Sequence, residues 1–435
     1  MTEKTTARKA TLTARKVRGI VKEMNLRAHR AKENGDPVAY CMVGSQYDEI
    51  LHAMGITPIW TENYAGLCAA KRVAENYILR AESDGYSGVV CGYVRTGLGF
   101  ERARQELGAI PEGAPDGGMA RPDMMLGSST ACDPRFKWYQ AAGKYIDVPT
   151  YAIDVVAPPV HCDLKDVEGY YVAYQLEQFK GLVEFLENQT RRKLDLDKLD
   201  GAFERAQQVY QVWWECDQLR RAVPGPMPSE DHFNVFVPAL FRLCDDVTLD
   251  FYSELRAELR ERVANGVGVI EDERYRLLWA GGLPPWHTMW IFNYFEDRGA
   301  VFVIERVYRG FDPVEIPKHI THPLEKLAYR TFQRMTQKYE QARRNTGNAN
   351  AEFILEYIRD YQIDGMVMHA TKSCRATTVG QLYTKNLIQS KIDIPFLQLQ
   401  SDIIDLRDFS EEHWKSSIDA FLETAAYKKG SVGLF

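Results

Sequence analysis

Three cysteines, Cys91, Cys132 and Cys374, each stand at the end of a short apolar run that passes into a loop of small residues. Residues 88–99 (GVVCGYVRTGLG), 122–132 (PDMMLGSSTAC) and 364–374 (DGMVMHATKSC) share this grammar, which predicts a buried strand, a loop and a thiol at the loop's mouth. In parallel α/β sheets ligands gather outside the carboxyl ends of the strands. Cysteines remote in sequence can therefore meet on one rim. Thiolate sulfur suits iron–sulfur clusters and zinc. Three protein thiolates would leave one iron of a four-iron cluster open, as catalytic zinc keeps an open position. A cysteine at a strand end also serves as packing, and spacing alone leaves both readings standing.

The other five cysteines sit differently. Cys41 falls in a strand, Cys68 on a helix, and Cys216 and Cys244 inside helical patterns, all predicted to fill core; Cys162 follows PPVH in a loop and stays unassigned. The chain has no CxxC pair, which argues against a zinc ribbon, a thioredoxin motif or a ferredoxin-type run. Residues 281–285 (GGLPP), between an expected strand and helix, are either an anion-binding helix N-terminus or a tight turn. Trp286, His287 and Trp290 beyond them either wall an aromatic pocket or pack as core. Arg95 is placed to meet an anionic group or to cap a helix, and Glu49 to handle protons or simply to favour a helix start. No GxxxxGK[ST], GxSxG or HExxH motif occurs, so ATP hydrolysis at a Walker site is not expected of this chain.

These side chains need a frame, and the periodicity supplies one. At 435 residues, 45% hydrophobic and 26% charged, the chain has the composition of a globular protein with two or three domains. A net charge of −6 gives no basic footprint for nucleic acid. No apolar run is long enough for a membrane span and no secretory signal opens the chain, so a soluble, cytoplasmic protein is expected. Residues 1–34 are basic and helical in pattern, either a transit peptide or a docking arm, with Glu23 and Glu33 favouring the arm. Residues 35–165 alternate strand and helix: strands at 37–43, 57–60, 88–91, 123–126 and 148–154, helices at 46–54, 65–81 and 136–143. Residues 166–269 turn helical, with helices at 170–188, 199–223 and 239–264, the last introduced by Pro238. Residues 270–435 alternate again, with strands at 275–280, 300–305, 364–370 and 394–400. Their helices are expected at 287–298, 324–343, 352–361, 377–390 and 411–428. The reading is an α/β fold: two Rossmann/flavodoxin-like parallel-sheet domains with a helical block between them.

Over nearly its whole length the sequence resembles the benzoyl-CoA reductase and 2-hydroxyacyl-CoA dehydratase family. The resemblance is carried by residues 61–72 (TENYAGLCAAKR), 90–97 (VCGYVRTG), 122–138 (PDMMLGSSTACDPRFKW), 364–374 and 394–407 (IPFLQLQSDIIDLR). Residues 273–308, with LLWAGGLPPWHTMW at their centre, look most like the B-type subunit of the ATP-dependent reductases. The resemblance implies a [4Fe-4S] cluster held between two α/β domains by Cys91, Cys132 (in a Cys-Asp pair) and Cys374, with Glu49 at a position where the family has an acidic residue. It also implies partners: a homologous cluster-bearing subunit, ATP-hydrolysing electron-activating subunits, and ferredoxin as indirect donor. One-electron transfer to a thioester carbonyl makes a ketyl-type radical anion, opening a route that acid–base chemistry lacks. The implied function is reduction of the benzoyl-CoA ring to a cyclic diene. A 2-hydroxyacyl-CoA dehydratase subunit, or a scaffold that binds the CoA tail without chemistry, are the alternatives.

Overall fold

A computed structural model describes residues 10–432. It contains two four-stranded parallel sheets. The first joins β1 (Val38–Cys41), β2 (Thr57–Trp60), β3 (Met124–Ser128) and β4 (Thr150–Ile153) in the order β2-β1-β3-β4. The second joins β5 (Tyr275–Gly281), β6 (Ala300–Glu305), β7 (Gly365–Thr371) and β8 (Phe396–Ser401) in the order β6-β5-β7-β8. The two orders are the same topology met twice, with the winding reversing its lateral course beside β1 and beside β5. Every residue of β1, β3, β6 and β7 is buried, without alternation, because helices cover both faces of a parallel sheet.

Between the sheets in sequence lie the helices Leu164–Thr190, Leu196–Leu219, Ser229–Phe241 and Asp246–Ala264. One hydrophobic cluster runs from Cys41 on β1 through Phe233 and Phe236 to Trp279 on β5 and Phe302 on β6. The helical layer therefore glues one face of each sheet to the other. The basic N-terminal stretch docks here too. The helix Val17–Glu33 buries Val17, Ile20, Met24 and Ala28, and Glu258 accepts from Leu12 N at 2.7 Å and Thr13 N at 2.9 Å. Residues 1–9 of the expected arm lie outside the described residues. Among the described residues no helix is long and apolar enough to cross a membrane.

The structure corrects several element readings. Residues 88–91 are a turn, and the expected glycine-rich loop is the first half of the helix Gly92–Leu107. Its glycines serve packing: a Cβ on Gly99 would lie 1.8 Å from the Tyr77 carbonyl oxygen, and one on Gly97 2.3 Å from the Trp138 ring. The long helix expected at 65–81 is two, Thr61–Ala70 and Ala74–Ser83, broken where Arg72 takes a left-handed φ of 59°. Pro238 lies inside Ser229–Phe241, and the next helix begins at Asp246. The helix expected at 287–298 starts only at Ile291 and ends at Glu296, so the Gly-Pro turn opens on no helix that could bind an anion. Gly282 is needed there for a different reason: φ is 75° and a Cβ would meet the His369 carbonyl oxygen at 2.0 Å.

Candidate functional site

Seven of the eight strands send residues just past their carboxyl ends into one cavity of about 510 Å³. Val43 follows β1, Glu62 β2, Cys132 β3, Leu283 β5, Tyr308 β6 and Cys374 β7, with Ile403 closing from β8. Open α/β sheets bind ligands outside the carboxyl ends of their strands, at the point where the winding reverses. Here two such rims face one another across shared space.

Cys91, Cys132 and Cys374 all line this cavity, and all three are half-buried free thiols. Cys132 and Cys374 hold corresponding places, four residues past the end of β3 and three past the end of β7. Cys91 arrives by another route, as the residue that opens the helix Gly92–Leu107. Contacts of neighbouring residues stitch the three loops together. Gly92 N donates to Ser373 Oγ at 3.3 Å, and the Ser373 hydroxyl donates to Asp402. Asp133 and Arg375, each next in sequence to a cysteine, form an ion pair. Gly92 must be glycine, since a Cβ would stand 2.6 Å from Asp402 Oδ1.

Burial, and then the charge of Cys374, push the Cys91 thiol well above its ordinary range. Burial and then Glu62 push Cys132 up to about 11. As bare thiolates these groups would repel one another in an apolar setting, so the site gains most from something cationic bound between them. Among the described residues no three His, Cys, Asp or Glu side chains converge as they would around a single ion. Three thiols around one cavity have the donor chemistry of an iron–sulfur cluster.

The remaining wall is mostly apolar and aromatic, with Tyr93, Trp138, Tyr308 and Phe311 prominent. Burial holds the phenols of Tyr93 and Tyr308 protonated, well above their ordinary value. Beside Cys132, Arg135 donates to Glu62 at 2.8 Å and to the Thr130 carbonyl at 2.8 Å, while Glu62 accepts from Val43 N at 2.9 Å. This pair fastens the loops after β1, β2 and β3 to each other. Sequence reading passed over it, although Glu62 and Arg135 both lie in segments that carried the family resemblance.

The other expected site residues stand outside the cavity. Glu49 is wholly buried and paired with Arg330, with its second carboxylate oxygen unpartnered. Arg95 is spent internally: it donates to the Val90 carbonyl at 2.8 Å, to Glu82 at 2.7 Å and to Asp405 at 3.0 Å. Trp286 acts from behind the wall, its indole N–H donating to the Tyr93 hydroxyl. His287 is buried edge-on to Phe409 with ring centroids 5.7 Å apart, and burial, then Arg72, lower its imidazole to about 4. Cys41, Cys68, Cys216 and Cys244 are core residues, and Cys162 is half-buried away from the cavity.

Residues 47–425 match the family model described as 2-hydroxyglutaryl-CoA dehydratase, D-component. The chain is 24% identical to the (R)-phenyllactyl-CoA dehydratase alpha subunit of Clostridium sporogenes, over 92% of this chain and 93% of that one. It is 25% identical to the B-type subunit of benzoyl-CoA reductase from Thauera aromatica, over 93% and 92%. It is also 25% identical to the lactoyl-CoA dehydratase subunit alpha of Anaerotignum propionicum, over 91% and 92%. Reductase and dehydratase subunits thus stand level.

Proposed function

Because the chain belongs to the family of the 2-hydroxyglutaryl-CoA dehydratase D-component, we propose that it is a catalytic subunit of an ATP-dependent, ferredoxin-linked reductase of the benzoyl-CoA ring. The observation that carries this reading is the convergence of Cys91, Cys132 and Cys374 on one apolar cavity at the facing rims of two parallel sheets. Those three residues would hold a [4Fe-4S] cluster, which supplies single low-potential electrons when bound.

The chain's own residues supply the rest. The aromatic and aliphatic wall accepts an acyl thioester and excludes water, which raises the worth of every dipole inside. Tyr93 and Tyr308 keep O–H groups there as hydrogen-bond donors, and Trp286 fixes Tyr93 in place. The Glu62–Arg135 pair holds the Cys132 loop against the first sheet. Ring reduction adds an electron pair and a matching pair of protons to the arene, so a donor outside this chain is required. The relatives are subunits of larger enzymes by name, which supports partner subunits; the proposal takes these to be a homologous cluster-bearing subunit, ATP-hydrolysing subunits and, as indirect donor, ferredoxin, in the cytoplasm.

The level identities with dehydratase subunits favour one second reading, a subunit of a 2-hydroxyacyl-CoA dehydratase using the same three cysteines. The two are separated by incubating the assembled complex, under anoxia, with benzoyl-CoA and with phenyllactyl-CoA. Ring reduction consumes stoichiometric reductant and yields a diene; dehydration turns over without net electron uptake. Turnover of the hydroxyacyl ester alone would overturn the reductase reading, and turnover of neither would overturn both.

A further inference from the structure

The part of the cavity built by the second sheet carries a different chemistry from the thiols. Arg306 comes directly off the carboxyl end of β6, and Arg334 lies near the end of the helix Pro323–Met335; both line the cavity. Arg334 is only 9% exposed, yet its Nε and Nη1 find no acceptor, and Arg306 Nε is likewise buried without one. Every other buried arginine among the described residues has a carboxylate within ion-pair reach. Among those same residues Arg334 and Arg306 have none.

Their neighbours explain why they stay charged but not what balances them. Arg334 lies 3.6 Å from the centroid of the Tyr210 ring and 4.7 Å from that of Phe311. Arg306 lies 4.3 Å from Phe353, a ring that Arg309 also approaches at 4.7 Å. Ring faces attract guanidinium groups but return only part of the hydration lost on burial. Burial lowers both arginines to about 10, so both are cations at neutral pH. Of the carboxylates around them, Glu49 pairs through one oxygen with Arg330 and Asp312 with Arg309, while Asp48 feels the charge of Arg334 but forms no ion pair with it. A pair of guanidinium groups without an ion-pair partner on the wall of this cavity is a socket for oxyanions, since guanidinium forks match carboxylate and phosphate geometry.

We propose that Arg306 and Arg334 form an anion subsite of the acyl-CoA cavity, taking either a carboxylate at the far end of the acyl chain or a phosphate of the CoA moiety. This rests on the acyl-CoA reading above. The test is calorimetric titration of the assembled complex, wild type and with Arg334→Met or Arg306→Gln, using glutaryl-CoA, pentanoyl-CoA and the corresponding acyl-pantetheines. Each variant should weaken the anion-bearing ligand about 10-fold or more, the order expected for a lost charge-assisted pair. If the acyl carboxylate is the ligand, wild type prefers glutaryl-CoA to pentanoyl-CoA and the variants erase that preference. If a CoA phosphate is the ligand, both CoA esters weaken alike and the pantetheine esters do not respond. Folded variants of both kinds that bind every ester with wild-type affinity would overturn the subsite while leaving the acyl-CoA reading intact. A wild-type complex that binds no CoA ester would overturn both.

Discussion

The connections from β2 to β3 and from β6 to β7 occupy the same place in two sheets of identical strand order, yet they bring opposite chemistries to the shared cavity. The first, residues 61–123, contributes Glu62, Cys91 and Tyr93. The second, residues 306–364, contributes Arg306, Tyr308 and Arg334. What the two halves have in common is a cysteine shortly after the third strand, Cys132 in one and Cys374 in the other. The sheets thus set where loops meet, and the crossover decides whether a half delivers sulfur or positive charge. Such division is open to a fold whose ligands always sit at strand ends, because the frame need not change when the loops do.

The largest stability effect should separate the two kinds of buried arginine. Glu305 and Arg306 are adjacent at the end of β6, but Glu305 is closed off: Arg220 reaches its two oxygens at 2.6 and 2.7 Å, and both side chains are fully buried. Arg220→Met should cost about 3–5 kcal/mol in denaturant unfolding, because it strands a buried carboxylate. Arg334→Met removes a charge that has no carboxylate partner and should leave the unfolding midpoint unchanged or higher. Equal losses in the two variants would break the distinction between closed and open arginines.

Acid should distinguish the halves next. β3 (MMLGS) carries no titratable side chain, whereas β7 carries His369, wholly buried, its imidazole lowered by burial from 6.5 to about 4. Below the ordinary histidine value the unfolded chain takes up a proton that the folded chain refuses, so stability is full above about pH 6.5 and falls as pH drops toward 4. The full loss is about 3 kcal/mol, and His369→Gln should flatten the slope. Hydrogen exchange across this range should show the second sheet opening first.

Smaller effects should mark how tightly the thiol-bearing crossover is packed. Gly99→Ala pushes a methyl group into the Tyr77 carbonyl and should cost about 1–3 kcal/mol. Gly19→Ala, in the N-terminal helix with nothing within 4 Å of the new Cβ, should stabilise by roughly 0.5–1 kcal/mol. Thermal melts of the two variants should move in opposite directions.

Much of this frame was legible before any coordinates. All eight strands coincide with expected apolar runs bounded by Gly, Pro or Asp, β2 and β6 to the residue, and of the nine expected only 88–91 is not a strand. The reading failed where a short apolar run and glycines admit two interpretations. GVVC is too short for periodicity to separate strand from turn, and the glycines after it answer to Tyr77 and Trp138, partners that no local pattern announces. The break at Arg72 carries no Gly or Pro to betray it. The three cysteines were candidates because each closes a short apolar run, and the family resemblance selected the same three. Arg306 and Arg334 were not, because an arginine in a helical or strand-end pattern reads as a solvent-facing cation. Only the tertiary structure reveals that these two are enclosed without a carboxylate.

Iron and acid-labile sulfide, measured in the chain purified with its partners under anoxia, test the central claim most directly. A [4Fe-4S] centre held by this chain predicts about four of each per chain beyond what the partner subunits hold. Most of it should be lost in Cys91→Ser, Cys132→Ser and Cys374→Ser taken singly. Cys216→Ser, a core position 1% exposed, should retain it. A wild type without iron, or any of the three cavity variants keeping its full complement, would contradict the account.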